Sequence, residues 1–177
     1  MRHIGLFMAG ALGLVFISAY PANAADTTVT FTVSTGSLTI SAPATRDLGT
    51  NTPPGRTISA TLGNVIVDDL RGANPAAWTA QVASTDFAYT GTQTTPAIPA
   101  IPASAVTYTP GTEISHVGDG TFTAGAAGTL SSTPRDAYVH AAGTGSNQFV
   151  WNPTLSIAIP ATAAAVEYSG TVTHSFA

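Results

Sequence analysis

The chain has 177 residues, of which only 8% are charged, and its formal net charge is −4. Affinity for nucleic acid comes mostly from Lys and Arg that neutralise phosphates, so a chain with five Arg, no Lys and nine acidic residues predicts no nucleic-acid partner. The absence of Cys excludes disulfides, and stability must therefore come from a packed core.

The first 24 residues have the pattern of a secretory signal peptide. A short positive start, Met1-Arg2-His3, precedes an uncharged apolar run over residues 4–17. Ala22-Asn23-Ala24 then supplies the small-x-small pattern that signal peptidase reads. The alternative, an uncleaved anchor, is disfavoured because a membrane span needs ~20 apolar residues. We expect cleavage after Ala24 and an extracellular, single-domain mature chain over 25–177 with no transmembrane segment.

The mature chain alternates apolar and polar residues in short runs, which predicts β-strands. In the first run, residues 27–33, Val29, Phe31 and Val33 share one face. No stretch carries the apolar stripe of a helix over three turns. The other predicted strands cover residues 37–41, 58–62, 65–70, 77–83, 105–109, 137–141, 148–151, 154–159 and 166–176.

Two segments between these runs are predicted to be loops. Residues 91–102 contain three Pro, which cannot donate ladder hydrogen bonds, and are predicted to form a stiff surface connection. Residues 109–129 contain five Gly and predict a second loop. Many short one-sided strands with regular turns are typical of antiparallel sheets with one wet face. We therefore predict an all-β, antiparallel β-sandwich of Ig-like or jelly-roll-like type.

The sequence contains no recognisable catalytic or metal-binding motif. There is no Gly-x-Ser-x-Gly elbow, and His116, His140 and His174 lie in separate segments, so we expect no catalytic residues and a protein that is not an enzyme. The ligand spacing of a zinc site is absent, and we predict no metal and no cofactor. A cation beside adjacent Asp68 and Asp69, or beside Asp119, remains an alternative.

Asp69 and Arg71 are predicted to form a structural ion pair at a strand end. Arg71 is one of few basic residues and lies two positions after the adjacent Asp68 and Asp69. Gly72 and Asn74-Pro75 then predict a turn.

Three residues are candidates for ligand contact. Trp78 lies on the inward pattern with Ala80 and Val82, which favours a core position over sugar stacking. Trp151 ends a strand next to a loop, so core packing and ligand contact are equally open for it. His174 lies on the apolar face of the last run, where a core His with one satisfied nitrogen is favoured over a ligand contact.

The order of several segments carries a resemblance to a known family. In sequence they are Val65-Ile-Val-Asp-Asp-Leu-Arg-Gly72, Trp78-Thr-Ala-Gln-Val82, Ser84-Thr-Asp-Phe87, Ile101-Pro-Ala-Ser-Ala-Val-Thr-Tyr108, Trp151-Asn-Pro-Thr-Leu-Ser-Ile-Ala-Ile-Pro160 and Tyr168-Ser-Gly-Thr-Val-Thr-His-Ser-Phe176. Over nearly the whole mature chain, this order resembles the WxL-domain-like cell-surface proteins of Gram-positive bacteria, particularly the high-GC, actinobacterial branch. The Trp-x-Leu near the C-terminus that names the family is replaced here by His174-Ser175-Phe176.

The resemblance implies a secreted, non-catalytic β-sandwich module that associates non-covalently with the cell wall. The implied partners are peptidoglycan or other surface proteins. The alternative function is a structural surface or fibre subunit that self-assembles by exchanging the run at residues 27–33, because the chain has no Lys to guard its sheet edges.

Overall fold

The computed structural model describes residues 27–50 and 52–177. The predicted signal peptide and its cleavage site lie outside the described residues. The chain divides into two compact units, Met1–Val33 and Ser34–Ala177, and the described part of the first has no regular secondary structure. The described residues include no helix with the length and hydropathy needed to cross a membrane.

The second unit is built from β-strands, with one short 3₁₀ turn at Ala103–Ala105. Every strand pairing is antiparallel, which confirms the predicted all-β class. The strands are β1 (Leu38–Ser41), β2 (Thr57–Thr61), β3 (Val65–Ser84), β4 (Ala88–Tyr89), β5 (Val106–Thr109), β6 (Glu113–Val117), β7 (Thr121–Ala124), β8 (Gly128–Thr129), β9 (Arg135–Trp151), β10 (Thr154–Ala158), β11 (Tyr168–Ser169) and β12 (Val172–Phe176).

The largest sheet is centred on the long strands β3 and β9, which pair with each other. β1 and β12 both pair with β3, and β6 and β7 both pair with β9, so each edge consists of two short strands. A second sheet has the order β2-β10-β5-β8, and β4 pairs with β11 in a two-stranded ribbon.

The long strands bend sharply in the middle. Tyr138 and Trp151 lie near opposite ends of β9, where a straight strand would separate them by about 40 Å. Their ring centroids are nevertheless 5.2 Å apart. β3 bends at the same level, because the Trp78 ring lies 6.0 Å from that of Phe149, whose strand partner is Val67. The two halves of the sheet therefore face each other.

We call the bend the corner, and define it as residues 70–77, 118–120 and 141–146. The backbone here repeatedly enters the left-handed region that favours glycine. Gly72 has φ 63°, Gly120 has φ 105°, and Gly145 has φ 71°. Three neighbouring chain segments thus turn together while their pairing continues on both sides.

The two halves of the bent sheet and the second sheet enclose one core, in a β-sandwich arrangement. Trp151, Tyr108 and Phe149 are the largest fully buried side chains. The other buried apolar residues of this cluster are Val65, Val67, Trp78, Ala80, Val82, Phe87, Ile101, Val106, Leu130, Ala137, Tyr138, Leu155 and Ile157.

The predicted strand at residues 27–33 is wrong. The segment has no strand pairing within the described residues, and Val29, Phe31 and Val33 are 79%, 85% and 83% exposed. Alternation produces a strand only where another strand bonds the backbone and a surface covers the apolar face.

Three further expectations need correction. The predicted loop at residues 109–129 contains β6, β7 and β8, because its glycines mark bends rather than irregular chain. The predicted turn at Gly72 does not end a strand, since β3 continues through it. The last predicted strand is split at Gly170, where a Cβ would lie 2.8 Å from the Phe87 ring. The Pro-rich loop is confirmed, with one isolated bridge between Ile101 and Phe87.

Candidate functional site

Asp69 and Arg71 form a bidentate ion pair where β3 enters the corner. Arg71 Nη2 lies 2.8 Å from Asp69 Oδ2, and Arg71 Nε donates to Oδ1 over 2.9 Å. The Asp69 side chain is fully buried, whereas that of Arg71 is 37% exposed. Hydrogen bonds from Arg71 lower the pKa of the Asp69 carboxyl. Arg71 also donates to the carbonyl oxygen of Ala77 over 2.9 Å, so the pair joins both ends of this bend in β3.

Trp78 completes a buried polar chain that starts from this pair. Its Nε1 donates to Asn147 Oδ1 over 2.9 Å, and Asn147 Nδ2 approaches Asp69 Oδ2 at 3.4 Å. The Trp78 ring also contacts the ring of Phe122 at a centroid distance of 6.0 Å. The structure places Trp78 in the core, the position that its sequence pattern favours.

Trp151 and His174 meet through Tyr108. Trp151 Nε1 donates to the Tyr108 hydroxyl over 3.1 Å, and that hydroxyl lies 3.1 Å from His174 Nε2. Since indole only donates, the hydroxyl accepts from Trp151 and can donate its own proton to His174. The ring proton of His174 is then on Nδ1, which is buried without a partner. Burial lowers the pKa of His174 to about 4 and raises the pKa of Tyr108.

Of the three candidate contact residues, the two tryptophans are buried and His174 is only partly exposed. Trp151 has no exposed surface, and Trp78 is buried beside the corner. His174 is mostly buried and uses one ring nitrogen to bond Tyr108. For Trp151, where the sequence leaves both roles open, the geometry favours core packing.

Asp119 and His140 make hydrogen bonds that connect two chain segments of the corner, residues 118–120 and the part of β9 that bends. Asp119 Oδ1 accepts from the Thr144 backbone N–H over 2.6 Å, and Oδ2 accepts from the Thr144 hydroxyl over 2.8 Å. These two bonds lower the pKa of Asp119. The buried His140 ring stacks on Phe122 with centroids 4.4 Å apart, and its Nε2 lies 3.0 Å from the Asp119 carbonyl oxygen.

The acidic residues considered for a cation are engaged elsewhere. Asp68 accepts from Gln148 Nε2 over 2.6 Å, Asp69 pairs with Arg71, and Asp119 accepts from Thr144. Among the described residues, no three His, Cys, Asp or Glu side chains lie close enough together to hold a metal ion.

An open surface groove lies where β3 ends. We call it the hydroxyl groove, because small hydroxyl side chains supply most of its lining. Its only charged group is the carboxylate of Asp86. The lining residues are Ser84, Thr85, Asp86, Pro102, Ala103, Ser104, Ser131 and Ser132.

Hydrogen bonds fix the shape of the hydroxyl groove. The Ser84 N–H donates to the Ser131 carbonyl over 2.9 Å, joining its two sides. Asp86 Oδ1 accepts from the Ala103 N–H over 2.8 Å and anchors the 3₁₀ turn. Ser104 and Ser132 are exposed, so their hydroxyls can bond a ligand.

No pattern in the sequence predicts this groove. Its residues come from three separate connections, and Ser and Thr are abundant along the whole chain, so no local pattern distinguishes them.

The comparisons with known proteins match this chain to no family model, no curated protein and no solved structure.

Proposed function

We propose that this chain is a secreted, non-catalytic module that associates with the bacterial cell wall, with peptidoglycan as its polymer. The order of sequence segments that resembles WxL-domain-like proteins supports this role, as does the leader-like start of the chain. The observation that carries the proposal is the hydroxyl groove. It takes the place of Trp78, Trp151 and His174 as the contact surface, because both tryptophan rings are buried and His174 is partly buried with one ring nitrogen bonded to Tyr108.

The chemistry of the groove suits a neutral, hydroxyl-rich polymer. Hydroxyl side chains both donate and accept hydrogen bonds, as do the hydroxyl and acetamido groups of glycan strands. Asp86 adds a negative charge that repels polyanions. Because backbone hydrogen bonds fix the groove before any ligand arrives, little conformational entropy is lost on binding.

The test is co-sedimentation of the mature chain with purified cell-wall sacculi. We expect the wild-type protein to pellet. Replacing both Ser104 and Ser132 with Arg fills the groove with long side chains and should lower the affinity at least about tenfold, since several hydrogen bonds are lost. Ser41→Arg is the matched control, because Ser41 is exposed on β1 and does not line the groove.

The possible outcomes test wall association and the hydroxyl groove separately. Wild-type protein that stays in the supernatant across ordinary salt and pH would disprove wall association. If the groove variant pellets as well as the Ser41→Arg control, the groove is not the contact surface, although the wall role stands.

A further inference from the structure

Two groups of exposed apolar side chains stand out on this chain. Among the described residues, seven large apolar side chains are exposed. Three of them belong to residues 27–33. Ile114 and Val117 lie on β6, and Leu70 lies on β3, with β9 between the two strands; these three side chains are 53–65% exposed. Leu70 and Val117 line one shallow surface depression together with Asp68 and Gln148.

Residues 27–33 have the properties of a strand that lacks a sheet. Val29, Phe31 and Val33 alternate with Thr, and the segment contains no charge, Pro or Gly. Such a segment has high β-propensity, and its backbone groups are available for pairing.

β6 has the properties of a strand that can accept another. It pairs with β9 on one side and is the last strand on that edge of its sheet. All five of its residues are exposed, whereas β1 on the opposite edge partly buries Leu38 and Ile40. Its ionisable side chains are Glu113 and His116, and His116 Nδ1 lies 2.6 Å from Glu113 Oε1. No Lys is present in the chain to guard this edge.

We propose that residues 27–33 of one copy add as a strand to the β6 edge of a second copy. Backbone hydrogen bonds would join the two strands, and apolar side chains of the donor would cover Ile114 and Val117. Because every copy carries both a donor and an acceptor, the contact is heterologous and repeats from copy to copy, giving rings or fibres. This pairing goes beyond wall association and does not depend on it.

Engineered cysteines test the proposed edge directly, since the native chain has no Cys. A Val29→Cys copy is mixed with a differently tagged Ser115→Cys copy under mild oxidation. Ser115 shares a face of β6 with Val117, and the donor's apolar side chains, Val29 among them, would lie on that same face. Cys is itself a small apolar side chain, so the change at Val29 is conservative. The control mixes the Val29→Cys copy with a Ser41→Cys copy, which places the thiol on the β1 edge. We expect at least about tenfold more heterodimer with Ser115→Cys than with Ser41→Cys.

Charge substitutions test the donor face in the mature wild-type background. Phe31→Glu should weaken self-association at least about tenfold, because it removes the burial of a large apolar side chain. Thr30→Glu adds the same charge on the opposite face and should weaken it less than about threefold. Light scattering over a concentration series measures both, and wall pelleting of Phe31→Glu should match wild type.

Three results would overturn the proposal. One is a wild-type chain that remains monomeric at millimolar concentration. Another is crosslinking to Ser41→Cys that equals or exceeds crosslinking to Ser115→Cys. The third is equal loss of assembly in Phe31→Glu and Thr30→Glu. A failure of wall pelleting alone leaves the pairing untouched, so the two proposals fail separately.

Discussion

At the scale of single residues, the few polar groups inside this protein act as connectors between strands. Trp151 of β9, Tyr108 of β5 and His174 of β12 form one hydrogen-bonded chain across three elements. Asp69 and Arg71 pair with each other on β3, and Asn147 of β9 bonds Asp69 and so joins the pair to the neighbouring strand. A buried polar group is costly unless it is bonded, so such chains favour one arrangement of the core over alternatives.

The buried His174 makes stability depend on pH. Its pKa is about 4 in the fold and 6.5 ordinarily, so the unfolded chain binds the proton first as the pH falls. The contribution of neutral His174 to the free energy of unfolding is complete above about pH 6.5 and is lost as the pH falls from about 6.5 to about 4. We expect titration of His174 to lower the free energy of unfolding by about 2 kcal/mol at about pH 4.5 relative to pH 7.

Urea unfolding of wild type and His174→Gln at both pH values measures this effect. Gln keeps a hydrogen-bonding group for Tyr108 but does not titrate, so the stability gap between the two proteins should narrow or reverse in acid. A gap that stays constant from pH 7 to 4.5 would show that the His174 ring titrates equally in both states.

Removing Arg71 should destabilise the fold because it leaves a buried carboxylate without its cation. We expect Arg71→Met to lower the free energy of unfolding by about 2–3 kcal/mol. The double variant Asp69→Asn with Arg71→Met removes the charge as well and should recover at least half of that loss. Chemical denaturation at pH 7 measures both, and a double variant no more stable than Arg71→Met would argue against the ion pair as the cause.

At the scale of strands, alternation located most of the sheet but not its bend. The runs at residues 65–70 and 77–83 predict two separate strands, and they are the two halves of β3 on either side of the corner. A glycine can end a strand or turn it while pairing continues, and only the neighbouring strands decide which. For the same reason the glycines of residues 109–129 predict a loop where the structure has β6 and β7.

The corner glycines should differ in how strictly they require glycine. Gly120 has φ 105°, and a Cβ there would lie 2.5 Å from His140 Nε2. Gly72 has φ 63°, and a Cβ there would meet nothing within 4 Å. We expect Gly120→Ala to cost at least about 3 kcal/mol and Gly72→Ala only about 1 kcal/mol. Thermal or urea unfolding of the two variants compares them, and equal losses would contradict the tight approach of His140 to Gly120.

At the scale of the whole molecule, fold class could be predicted from sequence far better than the site. Period-two alternation reports directly on which face a strand buries, so the all-β class followed from it. The position of Trp151 cannot be predicted in this way, because a strand end next to a loop is compatible with either the surface or the core. Here β5 and β12 cover it, and that covering is a long-range event without a local signature.

Because both tryptophans are buried, their fluorescence can distinguish binding through the hydroxyl groove from binding by sugar stacking on an indole ring. Both Trp78 and Trp151 lie in the core, so iodide should quench their fluorescence only after unfolding. Binding through the hydroxyl groove should leave the emission maximum unchanged when solubilised peptidoglycan fragments are added, because neither indole lines the groove. Stacking of a sugar ring on an indole would require a core ring to reach the surface, and the emission would then shift on binding. A saturable shift of the emission maximum that follows the binding curve would therefore contradict binding through the hydroxyl groove and would indicate that a tryptophan contacts the ligand.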